Sequence, residues 1–290
     1  MLPLPIALRQ VIGRRALHWP TPVRAFQHLA LAALLGAGGA SSAHDTWFAP
    51  LPGASAAQPL LALGTGDQFP KQEFAVGAEY LARQGCRGFQ DSRTRPLQVL
   101  RTEPTALVVR PAQPGAATCW AQLKPFEIEL PPDKVAIYLD EIHAPAAVRS
   151  RWVELAALGL PWQERYVKHA RIVLTGGASA VSSPPAFDMD LDAQLDTSSG
   201  PLRVGQPMNF QVLSAGQALA GLAVELRNER SRVGLWQQTD AEGRVSLPAP
   251  LPGRWVLRGT ELKASPTQAG RWDSRFLTLA FDVLPRATEP

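Results

Sequence analysis

The sequence lacks most of the residues and motifs that mark catalytic proteins. Only two cysteines and three tyrosines occur among its 290 residues, and its five histidines form no histidine-rich tract. It contains no Gly-x-Ser-x-Gly nucleophile motif, no His-Glu-x-x-His zinc motif and no phosphate-binding glycine loop. These absences predict a protein that is not an enzyme.

The chain also lacks a basic tract outside its first residues. The formal net charge is +4, but residues 1–43 hold four arginines and no acidic residue, and the remainder has 25 basic and 25 acidic residues. A near-neutral chain without clustered Lys and Arg does not attract nucleic acid or anionic lipid. We therefore expect no nucleic-acid partner.

The N-terminal segment has the order of a secretory signal. Basic residues precede the apolar run Leu29–Gly39, and the small residues Ser41-Ser42-Ala43 follow it. The run is shorter than the roughly 20 residues that a membrane span needs. The pattern predicts a signal peptide over 1–43, cleavage after Ala43, and a periplasmic protein that begins at His44 and has no transmembrane span.

The two cysteines, Cys86 and Cys119, both follow the signal. In an oxidising compartment an isolated pair is most simply a disulfide. The alternative, a thiolate metal site, lacks a closely spaced Cys-x-x-Cys pair or a nearby histidine. The sequence favours a Cys86–Cys119 disulfide.

Short, partly alternating apolar runs separated by Pro and Gly predict a mainly β fold with two β-sandwich-like domains. The first domain, 44–180, has a helical insertion at Ala146–Leu158, while Asp133–His143 fits either a strand or a helix. The small and Pro-rich stretch Gly176–Pro185 marks the boundary. The more regular strands of 181–290 predict an immunoglobulin-like sandwich.

The expected first residue, His44, is the sharpest candidate for a metal site. A free α-amine and the imidazole of the same residue form a chelating pair that suits Ni²⁺, Co²⁺ or Cu²⁺. The neighbouring Asp45 could add a donor, and His143 and His169 could complete a three-histidine site if the fold brings them together. The competing interpretation is that His44 starts an ordinary strand and that the other two histidines bond locally, with His169 facing solvent.

Three aspartates alternate along Asp188–Asp192. On a strand they would share one face, which could bind Ca²⁺. We favour a solvated strand face, because runs of charge usually face water.

Five segments together resemble a secreted bacterial family of unknown function that is associated with periplasmic nickel or cobalt uptake. The segments are His44–Phe48, Leu63–Pro70, Glu164–Arg171, Gly221–Val224 and Thr239–Arg244. The resemblance implies a protein that binds divalent nickel or cobalt and helps deliver it to a membrane transport system. It implies no reaction.

Two other functions compete with this expectation. One is a non-catalytic adhesion or interaction module that binds a protein or a glycan through the immunoglobulin-like sandwich. The other is a copper-dependent oxidative enzyme built on the N-terminal histidine. The first would need no metal, whereas the second would show copper-dependent turnover.

Overall fold

The computed structural model describes residues 44–53, 58–88, 93–112, 114–174, 189–197 and 200–287. These described residues form one compact unit. The predicted signal peptide over 1–43 lies outside the described residues, as does the predicted boundary stretch Gly176–Pro185.

The mainly β prediction is confirmed. The first half of the chain contains β1 (Asp45–Pro50), β2 (Leu61–Gly66), β3 (Phe74–Ala75), β4 (Leu81–Gly88), β5 (Leu97–Thr102), β6 (Leu107–Pro111), β7 (Ala116–Leu123), β8 (Phe126–Leu130), α1 (Pro132–Glu141), α2 (Ala146–Ala157) and β9 (Trp162–Val173). The second half contains β10 (Leu191–Leu195), β11 (Pro207–Ser214), β12 (Gln217–Ala218), β13 (Ala223–Asn228), β14 (Leu235–Gln238), β15 (Arg244–Pro248), β16 (Gly253–Ala264) and β17 (Arg271–Val283).

The two helices form the predicted helical insertion between β8 and β9. Helix α1, the segment that the sequence left open, buries Val135, Tyr138 and Leu139 at helical spacing and has Pro132 in its first turn. Helix α2 ends two residues before Gly159, whose φ of +71° suits a glycine and stops the helix.

An eight-stranded sheet runs through the centre of the fold in the order β14-β13-β16-β17-β9-β7-β4, with β8 also paired to β9. All its pairs are antiparallel except β17 with β9, which are parallel. Strands from both sides of residue 180 therefore share one sheet. The division into domains at that residue stays a prediction, as does the immunoglobulin-like assignment of the second half.

Other layers cover both faces of the central sheet. Alternate residues of its strands point to opposite faces, so neighbouring residues pack against different layers. On β9 and β17, Ile172 and Ala280 pack against the five-stranded sheet built from β1, β2, β3, β5 and β6. Their neighbours in the chain, Val173 and Leu279, pack against the four-stranded sheet built from β10, β11, β12 and β15. Helices α1 and α2 cover the end of the first face around Trp162.

The tryptophans serve mainly this packing. Those with at most 2% of their surface exposed are Trp47, Trp120, Trp162, Trp255 and Trp272. Large aromatic side chains contribute much of the buried apolar area of such cores. These five therefore stabilise the layers and offer no surface for stacking a ligand.

The predicted disulfide is confirmed. Cys86 and Cys119 are opposite each other in the β4–β7 register, and their sulfurs are bonded. Strand β4 itself was not apparent from the sequence, because its segment LARQGCRG has almost no apolar alternation. The disulfide joins this weakly patterned strand to β7.

Candidate functional site

His44 lies at the beginning of β1, next to the end of β2. The β1–β2 register pairs Asp45 with Gly66, which brings His44 beside Asp67. His44 Nε2 is 2.8 Å from Asp67 Oδ1, and the two side chains are 40% and 37% exposed. The ring of Phe74 meets the imidazole edge-on at 5.8 Å. The imidazole is thus held at the surface by a carboxylate and an aromatic ring.

The main chain around His44 is fixed to the central sheet. Lys168 Nζ on β9 donates to the His44 carbonyl oxygen at 2.8 Å, and Thr278 Oγ1 on β17 donates to that of Thr46 at 2.6 Å. Burial lowers the pKa of Lys168 to about 8, although the charges of Asp45 and Asp67 act in the opposite direction. The main chain of His44 and of the start of β1 is therefore fixed in position.

Asp45, the proposed additional ligand, has its carboxylate engaged elsewhere. Its Oδ2 lies 2.9 Å from Arg258 Nη1, and Arg258 Nε donates to Glu225 Oε2 at 2.5 Å. Burial disfavours the charge of Arg258, but the carboxylates of Asp45 and Glu225 outweigh it and raise the pKa of Arg258. In this arrangement Asp45 anchors β1 to the central sheet.

A second acidic side chain lies near the His44–Asp67 contact. Glu73 Oε2 accepts from the main-chain nitrogen of Asp67 at 3.3 Å, and its Oε1 accepts from Lys71 Nζ at 2.8 Å. The Lys71 hydrogen bond, followed by that from Asp67, holds the pKa of Glu73 below its ordinary value. The surroundings of His44 therefore include the carboxylate of Asp67, which favours a cation, whereas the charge of Glu73 is paired with that of Lys71.

His169 faces the opposite side of the central sheet, in the direction of the four-stranded sheet. It is 1% exposed, so the interpretation that it faces solvent is wrong. Its Nδ1 lies 3.1 Å from the Phe276 carbonyl oxygen, and its Nε2 has no hydrogen-bond partner among the described residues. Burial lowers the pKa of His169 to about 4, which keeps the ring neutral at physiological pH.

His143 follows α1 in a left-handed conformation with φ of +49°. Its ring stacks on Trp236 of β14 with centroids 3.7 Å apart and an interplanar angle of 5°. The Arg258 guanidinium lies 5.6 Å from the centre of the same indole ring. His143 thus covers the edge of the central sheet.

The structure does not bring the three histidines together. Within the described ranges, no three His, Cys, Asp or Glu side chains converge on a point that could hold a metal ion. Of the predicted site only His44 remains as a candidate ligand, and the structure places Asp67 and Glu73, which were not predicted, near it. The role of Asp67 depends on the register of the β1–β2 pair, which the sequence does not specify.

The prediction of a solvated face along Asp188–Asp192 is wrong for Asp192, whereas the side chain of Asp190 is 49% exposed. Asp188 lies outside the described residues, and Asp192 is 1% exposed. Arg171 binds its carboxylate through two contacts, Nε–Oδ1 at 2.7 Å and Nη2–Oδ2 at 2.8 Å. The feature of the sequence that could have revealed this pair is Arg171 itself, because it is a charged residue between Ala170 and Ile172 near the apolar end of β9. Such a residue indicates a buried partner.

The described chain is therefore a three-layer β protein with a histidine presented at the start of its first strand. Residues 41–260 match the family described as Domain of unknown function (DUF4198), and the chain belongs to that family. No curated protein matches the chain. The described part of the chain contains no helix of the length and hydropathy needed to cross a bilayer.

Proposed function

We propose that this protein binds a divalent transition metal, nickel or cobalt, in the periplasm and delivers it to a membrane uptake system. The proposal requires that residues 1–43 are removed as a signal peptide. The new N-terminus would then place the His44 α-amine next to the His44 imidazole. The ion is cargo, and the protein performs no reaction on it.

The observation that carries the proposal is the 2.8 Å contact between His44 Nε2 and Asp67 Oδ1. A carboxylate at this distance favours the imidazole proton on Nε2, and metal-binding histidines usually give their second ring nitrogen such a partner. The lone pair is then on Nδ1, the nitrogen that closes a six-membered chelate with the α-amine of the same residue. The negative charge of Asp67 beside Nε2 favours the tautomer that the chelate requires, although the Nε2–Oδ1 contact does not have the geometry of a hydrogen bond.

The donor set suits the proposed ions. Amine and imidazole nitrogens are borderline ligands that bind Ni²⁺ and Cu²⁺ more strongly than Co²⁺. Asp67 adds negative charge beside the chelate, whereas the charge of Glu73 is paired with that of Lys71. Only one residue would supply protein ligands, so water or a partner's side chains would complete the coordination sphere. A low number of protein ligands favours release of the ion to a transporter.

The test uses protein secreted to a bacterial periplasm, with its N-terminus established by intact mass. Calorimetric titration with Ni²⁺ and Co²⁺ should give one site per chain for protein beginning at His44. A variant with one alanine inserted before His44 keeps the imidazole but turns the α-amine into an amide. We expect it to lose tight binding. Asp67→Asn should weaken binding by about ten- to a hundredfold.

His143→Gln is the matched control, because the His143 ring is already engaged in a stack on Trp236. Its affinity for Ni²⁺ should equal that of the unchanged protein. Equal affinity with and without the added alanine would overturn the N-terminal chelate, and so would cleavage at a different bond. Copper-dependent turnover of an added polymer would contradict the metal-carrier proposal and support an oxidative enzyme instead.

A further inference from the structure

Arginines from four separate segments of the chain meet at one end of the central sheet. The pairing of β16 with β13 and with β17 places the end of β13, the start of β16 and the end of β17 side by side. Beyond β17, Leu284 forms a bridge to Arg203, so the segment before β11 lies at the same end. We call this region the arginine end, and its arginines are Arg203, Arg230, Arg232, Arg254 and Arg286.

The buried side chain of Asn228 fixes two of these segments to each other. Its Nδ2 donates to the Arg254 carbonyl oxygen at 3.3 Å, and its Oδ1 accepts from the main-chain nitrogen of Arg230 at 2.9 Å. The side chain of Ser231 closes the next turn, because its Oγ accepts from the Val233 nitrogen at 3.2 Å. The loop between β13 and β14 is therefore preorganised.

Three of the five arginines carry charges that the described part of the chain leaves unpaired. Arg230, Arg232 and Arg286 are exposed, and none of them forms an ion pair with another described residue. By contrast, Arg254 Nε lies 2.7 Å from Glu229 Oε2. The unpaired charges are therefore those at the surface.

The carboxylates at this end do not cancel the charge of the arginines. Among the described residues they are Glu229, Asp282 at the end of β17, and Asp196 after β10. Five arginines and three carboxylates leave an excess of two positive charges, whereas the basic and acidic residues after position 43 are equal in number. The fold therefore concentrates at one end a positive charge that the neutral chain does not have as a whole.

Two exposed apolar side chains lie among these arginines. Val233, in the loop between β13 and β14, is 75% exposed, and Leu251, just before β16, is 38% exposed. Apolar side chains next to basic ones suit a lipid–water interface, where the former enter the acyl boundary and the latter meet the headgroups. The sequence shows no basic tract, because only the fold brings these segments together.

We propose that the arginine end docks on a membrane surface rich in anionic phospholipid, with its arginines on the lipid phosphates and Val233 at the acyl boundary. Each basic residue near such a surface strengthens binding about fivefold. The docking involves its own set of residues and needs no metal. This proposal and the proposed metal site can therefore fail independently.

The test is co-sedimentation of the metal-free secreted protein with phosphatidylcholine vesicles and with vesicles containing equal amounts of phosphatidylglycerol and phosphatidylcholine. At about 10 mM salt only the anionic vesicles should bind, and about 150 mM salt should weaken binding by screening. Arg230→Gln combined with Arg232→Gln should weaken binding about 25-fold. Val233→Ser should weaken it about tenfold. All three side chains are exposed, so the Tm should not change.

The matched controls lie near the starts of β9 and β17, at the opposite end of the central sheet. Arg151→Gln combined with Arg165→Gln removes the same charge, and Val153→Ser changes a valine that is 67% exposed. Both control proteins should bind like the unchanged protein.

Four results would overturn the proposal. The first is that anionic vesicles fail to bind at low salt, and the second is that neutral vesicles bind equally well. The third is that the control variants weaken binding as much as the variants of the arginine end. The fourth is that single-stranded DNA binds more tightly than the vesicles, since the surface would then recognise a nucleic acid.

Discussion

Breaking the buried Arg171–Asp192 pair should destabilise the fold by a large fraction of its total stability. The pair joins β9 of the central sheet to β10 of the four-stranded sheet, and its side chains are 1% and 2% exposed. Asp192→Asn removes the negative charge but keeps the shape of the side chain. It leaves a guanidinium that water cannot reach.

The expected loss of stability depends on the contacts that the Arg171 guanidinium retains in the Asp192→Asn variant. Arg171 still donates to Thr118 Oγ1 at 3.1 Å and lies 5.5 Å from the centre of the Trp120 ring. Neither contact replaces a carboxylate. Removing one partner of a buried ion pair typically costs about 3–5 kcal/mol, and the remaining contacts place Asp192→Asn near 3 kcal/mol. Whole domains are stable by only about 5–15 kcal/mol.

Urea denaturation gives the free energy of unfolding of each variant. The control is Glu154→Gln, which breaks the exposed Arg151–Glu154 pair and should cost less than about 1 kcal/mol. A double variant, Arg171→Met with Asp192→Leu, should recover most of the loss, because apolar residues of similar size need no partner. If Asp192→Asn costs no more than Glu154→Gln, the account of this pair as a buried, desolvated contact is wrong.

Two further predictions concern stability. Burial lowers the pKa of His169 from 6.5 to about 4, so the stability that depends on a neutral ring is fully present above pH 6.5 and is lost as the pH falls towards 4. The variant His169→Gln should therefore lose about 3 kcal/mol less unfolding free energy than the unchanged protein between pH 7 and pH 4. Equal losses for the two proteins in urea denaturation would refute this prediction. The Cys86–Cys119 disulfide closes a loop of 33 residues, so its reduction should lower the free energy of unfolding by about 4 kcal/mol on the chain-entropy account. Identical urea denaturation curves with and without a reductant would contradict this prediction.

The sequence was most informative where a local pattern decides the structure. Apolar periodicity predicted the helical insertion at Ala146–Leu158, and helix α2 covers Ala146–Ala157. The pairing of two isolated cysteines followed from composition and the expected compartment. Each of these inferences needs only neighbouring residues or a count.

The candidate site shows where local patterns are insufficient. His44 could be singled out because its place after Ala43 is a property of the sequence. Its partner Asp67 depends on how β1 pairs with β2, and a shift of one residue in that register would turn the side chains to the opposite face. Lys168 and His169 are adjacent in sequence, yet one contacts the His44 carbonyl and the other is buried on the far side of the sheet.

The sequence by itself determined the mainly β class, the helical insertion, the disulfide and His44 as the residue to test, because propensity, spacing and processing signals act over short stretches of chain. Only the tertiary structure decided that β9 and β17 join the two halves in one sheet, that Asp45 pairs with Arg258, and that Arg171 has a buried partner. Those contacts join residues far apart in sequence. Their energies depend on burial, and burial is set by which layers pack together.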